Sequence, residues 1–251
     1  MFGIAAIEAR LGVPLLDALA PLVFLLAWIG YARWADAAGR PSLMARMHEY
    51  RVMWMRRMLA RDNRITDLQV VQVLVQNIAF FASASIFLIG GLAAVLGARE
   101  QALAILAELP LGAPASARVF DAKVLLMIVV FVYAFFKYTW TLRQFNYVAV
   151  LIGAAPPPEE AGTAAAERLI ERAARMATRA ADHFNKAMRA YYFGLAGLAW
   201  FVHPGLMIAA VIWVVLVSWR REFRSTSLAI LGPVGEPIDS PAAQGSARPS
   251  P

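Results

Sequence analysis

Residues 61–97 read RDNRITDLQVVQVLVQNIAFFASASIFLIGGLAAVLG, a charged heptapeptide running without a break into a long apolar segment. From Ile78 to Gly97 there is neither a charge nor a proline. At about 1.5 Å per helical residue, those roughly 20 residues match the roughly 30 Å hydrocarbon core of a bilayer. The segment therefore reads as a membrane-spanning helix whose basic foot, Arg61 to Asp67, stays in water. Thr66 followed three residues later by Gln69 has the form of a capping box, and Asp67 in the first turn suits the helix dipole. Gln69, Gln72 and Gln76 share one face. A helix from there to Gly97 runs about 46 Å, so its first turns project beyond the bilayer.

Composition asks for the same solvent. Hydrophobic residues make up 60% of the 251-residue chain and charged residues only 16%, more apolar surface than a soluble domain of that length can bury. The net charge of +7 sits in loops flanking apolar runs, where anionic headgroups and the positive-inside rule account for it. Membrane lipid is therefore an expected partner and nucleic acid is not. The absence of cysteine excludes disulfides, cysteine-ligated metal centres and thiol nucleophiles.

Working outward, four spans are expected, at about 15–34, 68–97, 124–142 and 191–219. Met1 to Pro14 lacks a basic region and Asp17 interrupts the first apolar run, so that run reads as an uncleaved span rather than a signal peptide. Trp28, Tyr31 and Trp34 mark its boundary, with Arg33 and Arg40 placing that boundary on the cytoplasmic side. The arginine-rich segment 42–60 repeats Leu43, Met47, Tyr50, Trp54 and Met58 at helical spacing. It forms an amphipathic helix that lies on the headgroups or packs on the second cytoplasmic helix. That second helix is expected at 159–189, with Leu169, Ala173, Met176, Ala180 and Phe184 on its apolar side and Arg168, Arg172, Arg175 and Arg179 opposite. A short outer helix through Leu103 and Leu106 ends at Pro110, and Pro114 marks a turn. The fold class is thus an all-α integral membrane four-helix bundle with two cytoplasmic amphipathic segments, one membrane domain over 1–224 and a disordered tail over 225–251.

Four spans leave Arg220, Arg221 and Arg224 on the outer side, against the positive-inside rule. Either the long loops override these charges across a span kinked at His203-Pro204-Gly205, or that tripeptide turns the segment into a hairpin returning to the cytoplasm. Each half of such a hairpin would be about 11 to 14 residues, too short to cross, so the geometry permits it; the kinked span is the expectation adopted.

Depth arithmetic selects the polar candidates. Counted inward from the outer ends, Lys137 lies about 20 Å below Val124, at the depth of Ser83 and Ser85, and His203 lies about 24 Å from Trp219. The four are expected to share a layer, with Gln76, Asn77 and Gln144 nearer the cytoplasmic face. A lysine in hydrocarbon either faces a wet path or snorkels to the interface. His203 either handles protons or caps a carbonyl freed by the proline. Ser83 and Ser85 also suit close helix packing, and Asn77 and Gln144 an interhelical hydrogen bond. Arg61, Asp62, Arg64 and Asp67 form an interfacial charge cluster that anchors the second span or gates an anion. No H-E-x-x-H, G-x-S-x-G or phosphate-loop motif is present, the three histidines have no metal-ligand spacing, and a serine–His203 dyad has no readable oxyanion site. Neither a catalytic residue nor a cofactor is expected.

The chain resembles domain-of-unknown-function family 599, multi-pass membrane proteins of bacteria and plants. The resemblance rests on Arg61-Asp62-x-Arg64-Ile65-x-Asp67, Asn77-x-x-Phe80-Phe81-Ala82-Ser83, Gly90-Gly91, Arg143-Gln144-x-Asn146-Tyr147, Ile152-Gly153, Phe184-Asn185, Arg189-x-Tyr191-Tyr192-Phe193, Trp200 and Arg221-Glu222-Phe223-x-Ser225. Ala187 stands where the family pattern favours glycine. The resemblance implies an architecture and a bacterial inner-membrane location, without an activity. Two functional expectations follow. The first is a small transporter or channel-like protein lined by Lys137, His203 and the polar face of the second span, oligomeric because four helices enclose little lumen. The second is a non-transporting scaffold or accessory protein docking a cytoplasmic partner.

Overall fold

The computed structural model describes residues 15–37, 42–108 and 116–232, and over them the chain is all-α. Helix α1 spans Leu15–Ala37, α2 Leu43–Leu59, α3 Ile65–Gly97, α4 Arg99–Ala107 and α5 Ala117–Gly153. A 3-10 turn at Pro158–Glu160 precedes α6, Ala164–Leu198. A second turn, Ala199–Phe201, separates α6 from α7, Pro204–Phe223, and α8 covers Thr226–Leu231. Helices α1, α3 and α5, of 23, 33 and 37 residues, are long and apolar enough to cross a membrane, which makes this a multi-pass membrane protein. They also expose large apolar side chains that water would reject, with Phe87 80% and Phe136 64% accessible.

Helix α3 begins at Ile65, two residues before the Asp67 start that a Thr66 capping box predicts. Asn63 Oδ1 accepts from the Ile65 backbone N–H at 2.9 Å, which starts the helix and leaves Thr66 inside its first turn. Arg99 at the head of α4 pairs with Asp121 of α5 at 3.0 Å. The expected features at Met1 to Pro14, Arg40, Pro110 and Pro114 lie outside the described residues.

Contacts divide the fold into two units. The first takes the described residues of 1–38, 79–139 and 184–217, the second those of 39–78, 140–183 and 218–251. In the first, α5 presents Phe120, Val124, Met127, Phe131, Ala134 and Tyr138, all at most 1% accessible, at three- and four-residue spacing. Helix α6 meets that face antiparallel and in register. Tyr138 packs on Phe184, Phe131 on Tyr191, and Phe120 on Phe201 beyond the helix end. Gly194 and Gly197 allow the approach: a β-carbon at Gly194 would lie 2.8 Å from the Phe131 ring, and one at Gly197 2.5 Å from Met127 Sδ. The second unit is sealed by Met55, Met58 and Leu59 of α2, Val148 and Ile152 of α5, and an alanine stripe on α6 comprising Ala166, Ala173, Ala174, Ala177 and Ala180.

One boundary needs correction. The expected cytoplasmic helix 159–189 and the start of the expected span 191–219 form one continuous helix, α6, because no proline interrupts 164–198. The break comes at Pro204, which has no N–H to donate, and α7 starts there with Pro204 in its first turn. Residues 191–219 are therefore two helices. Helix α6 carries the chain from the second unit into the first, and α7 carries it back, Ser218 onward belonging again to the second. The tail expected to be unfolded from residue 225 begins with α8: Ser225 Oγ caps it by accepting from the Leu228 N–H at 3.1 Å, and Tyr50 Oη donates to the Leu231 carbonyl at 2.7 Å. Residues beyond 232 lie outside the described ones.

Candidate functional site

The charged heptapeptide forms a network in the second unit. Asp67, 1% accessible, accepts from Arg61 Nη1 at 2.6 Å and from Trp54 Nε1 at 2.7 Å, which ties the end of α2 and the connecting turn to the first turn of α3. Its second oxygen has no hydrogen-bond partner. Arg64 reaches the other way, donating to the carbonyl of Ala155 at 2.6 Å and to that of Pro156. These carbonyls follow the C-terminus of α5, where a guanidinium satisfies acceptors that the finished helix cannot. Asp62 is exposed. Arg61, Arg64 and Asp67 thus fasten α2, α3 and α5 to one another.

The family model for proteins of unknown function catalogued as DUF599 matches residues 19–227. The chain belongs to DUF599. Neither the curated proteins nor the solved structures gave a match. In this DUF599 protein the matched region contains nearly every described helix residue, so the site has to be read from geometry.

Also in the second unit, α2 and α6 line a cavity of about 360 Å³ with His48, Val52, Arg56, Glu167, Ile170 and Arg175 among others. The imidazole Nδ1 of His48 and the Thr178 hydroxyl are 2.8 Å apart, and Arg56 and Glu167 approach to 4.0 Å. Burial pushes the Arg51 guanidinium below its ordinary range, opposed by the negative charge of Asp182. Among the described residues no group of three His, Asp or Glu side chains could hold a metal ion.

Of the expected polar layer, Lys137 and the two serines do share a level, because Phe81 of α3 stacks on Tyr138 of α5 with ring centroids 5.9 Å apart, but His203 is not among them. Ser83 is exposed, while Ser85 is buried and donates to the Phe81 carbonyl of its own helix at 2.8 Å. Lys137 is half-buried with Nζ 5.5 Å from the Tyr133 ring centroid. His203 sits at the far end of the first unit, where its Nδ1 accepts from the Gly205 N–H at 3.0 Å. It therefore caps the start of α7 as an acceptor rather than capping a freed carbonyl. The register shows why the count failed. Trp200, three residues before His203, lies against Lys123, and Lys123 is about 21 Å along α5 from Lys137. Counting from Trp219 assumed one unbroken span. In the second unit, Gln76 and Asn77 are exposed, whereas Gln144 is 3% accessible and its Oε1 accepts no hydrogen bond, so the expected bond from Asn77 to that oxygen is not made.

Sequence reasoning missed a buried ion pair in the first unit. Asp17 Oδ1 lies 2.7 Å from Lys123 Nζ, with side-chain accessibilities of 1% and 2%. The same oxygen accepts from Trp200 Nε1 at 2.8 Å, and Lys123 donates to the Trp200 carbonyl at 3.2 Å with its ammonium 5.0 Å from that indole ring. A signal was available. Asp17 interrupts the first apolar run and Lys123 immediately precedes the third, so opposite charges stand at the ends of two apolar runs.

Proposed function

We propose that this protein is a membrane-embedded docking protein of the bacterial inner membrane. Its first unit is a dry helical bundle, and the α2–α6 surface of its second unit binds a cytoplasmic protein. The observation that carries this reading is the filled core of the first unit, where Phe24, Phe131, Tyr138, Phe193 and Met207 are all inaccessible, while Lys137 and His203 stand about 20 Å apart along the bundle. These buried side chains occupy the space between the helices through which a water-filled route would run. The oligomer that a pore would need is not required.

The break at His203-Pro204-Gly205 supports a topology of five crossings in place of four. The fifth arises because residues 184–201 run about 27 Å antiparallel to α5, and the 20 residues of α7 then return about 30 Å. With the N-terminus outside, α2, the first half of α6, Arg220, Arg221 and Arg224 all fall on the cytoplasmic side, which removes the conflict with the positive-inside rule.

Single cysteines at Ser85, Met127 and Ala134 test the dry bundle, with Arg56→Cys and Arg175→Cys as exposed references. A small water-soluble thiol reagent applied to membranes is expected to label only the references. Labelling at Met127 or Ala134 would establish a wet route and restore the transport reading. A photo-crosslinking side chain at Arg175 is expected to give one discrete protein adduct in cells, lost on Val52→Asp. Absence of any adduct contradicts docking at this surface.

A further inference from the structure

Helices α1, α5 and α6 bring a surplus of positive charge together in the first unit. Asp36, in the last turn of α1, is bound by two cations of α6: Arg189 at 2.7 Å on one oxygen and Lys186 at 3.2 Å on the other. Tyr133 of α5 lies within electrostatic reach of Lys186, Arg189 and Asp36, and its ring carries the Lys137 ammonium at 5.5 Å. Trp28 of α1 meets the same ring edge-on at 5.3 Å. Lys186 and Arg189 therefore share one carboxylate, the Lys137 ammonium lies over the Tyr133 ring beside them, and Arg33 is exposed one turn before Asp36. An ion-pair network built for stability alone would balance its charges; here two cations of α6 meet one carboxylate at a surface where Trp28, Tyr133 and Trp34 form an aromatic boundary.

The surroundings are neither open water nor closed core. Side-chain accessibilities of 36% for Lys186 and 14% for Arg189 leave room for an anion to be approached from one side while the medium around it stays low in dielectric. Along the turns that lead away from the cluster, α1 exposes Leu26 and Ile29 and α5 exposes Val129 and Phe136. Apolar side chains beside a cationic, aromatic-rimmed notch have the chemistry of a phospholipid: acyl chains on the helices, phosphate on the cations.

We infer that Lys137, Lys186 and Arg189 form a binding site for the phosphate headgroup of an anionic phospholipid. The lipid bridges α1, α5 and α6, and Asp36 limits its affinity by competing for the same two donors. The inference rests on the membrane reading of α1 and α5 and is independent of whether a protein docks on the second unit.

Native mass spectrometry of the detergent-solubilised full chain tests it, with dioctanoyl phosphatidylglycerol as the probe, dioctanoyl phosphatidylcholine as the neutral reference and inorganic phosphate as competitor. Wild type is expected to retain phosphatidylglycerol in preference to phosphatidylcholine. Lys137→Gln/Lys186→Gln should weaken phosphatidylglycerol about tenfold or more, each lost cation counting near the surface. Arg168→Gln/Arg172→Gln, which removes equal charge from exposed positions in the second unit, should leave it unchanged. Asp36→Asn should tighten it several-fold, a gain that misfolding cannot mimic. Equal retention of the two lipids, an unchanged double variant, weaker binding in Asp36→Asn, or displacement by millimolar phosphate would each overturn the lipid site, the last pointing to a soluble anion instead.

Discussion

Replacing Lys123 by methionine should destabilise the first unit far more than its place near a helix end suggests. In the wild type, Asp17 Oδ1 holds both the ammonium and the Trp200 indole N–H, and its Oδ2 has no partner at all. Removing the lysine leaves a carboxylate about 1% accessible with one neutral donor, and breaking a buried pair from one side costs about 3–5 kcal/mol. Asp17→Asn should cost less, about 1.5–3 kcal/mol, because the amide oxygen still accepts from Trp200 and Lys123 keeps the Trp200 carbonyl and ring. Combining Asp17→Asn with Lys123→Met removes both charges and retains the indole acceptor. The double variant is expected within about 2 kcal/mol of wild type, giving a coupling of about 2 kcal/mol or more. SDS titration of the protein in mixed micelles, followed by far-ultraviolet circular dichroism, measures all four corners of the cycle. Single variants within about 1 kcal/mol of wild type, or losses that simply add, would refute a dry, coupled pair.

Gly194→Leu should disrupt the α5–α6 contact, since even a β-carbon there meets the Phe131 ring at 2.8 Å; a loss of about 1–3 kcal/mol or failure to insert is expected in the same titration. Asp67→Ala leaves the Trp54 indole without its acceptor and should lower stability by about 1–3 kcal/mol, with a red shift of tryptophan emission as that side chain loosens. Tyr50→Phe removes the donor to the Leu231 carbonyl, and limited proteolysis should then cut near α8 faster while the helices of the first unit stay protected.

Helices α3 and α5 were legible because their apolar runs are long, unbroken and charge-flanked. The apolar side of α6 was legible too, from Ala173 through Ala180 to Phe184. Its continuation to Leu198 was not, because the change from arginine-rich to apolar at Tyr191 signals a change of surroundings, and a helix can cross such a change without ending. The break at Pro204 was visible as a tripeptide, whereas the meeting of Trp200 with Lys123 just before it, a contact across 77 positions, was not. The heptapeptide announced its own charges. Its partners Trp54 and the Pro156 carbonyl had no local signature, and neither did the meeting of Asp17 with Lys123, which depends on the register of two helices far apart in sequence.

The return of α7 is the step on which topology and function both rest, and sidedness of single cysteines at Ser227 in α8 and Gln101 in α4 tests it most directly. With Arg57→Cys as a reference on α2, intact and permeabilised cells are labelled with a membrane-impermeant thiol reagent. Ser227→Cys is expected to label only after permeabilisation, together with Arg57→Cys, and Gln101→Cys without it. Labelling of Ser227→Cys in intact cells alongside Gln101→Cys would put the C-terminal helix outside and contradict the returning α7.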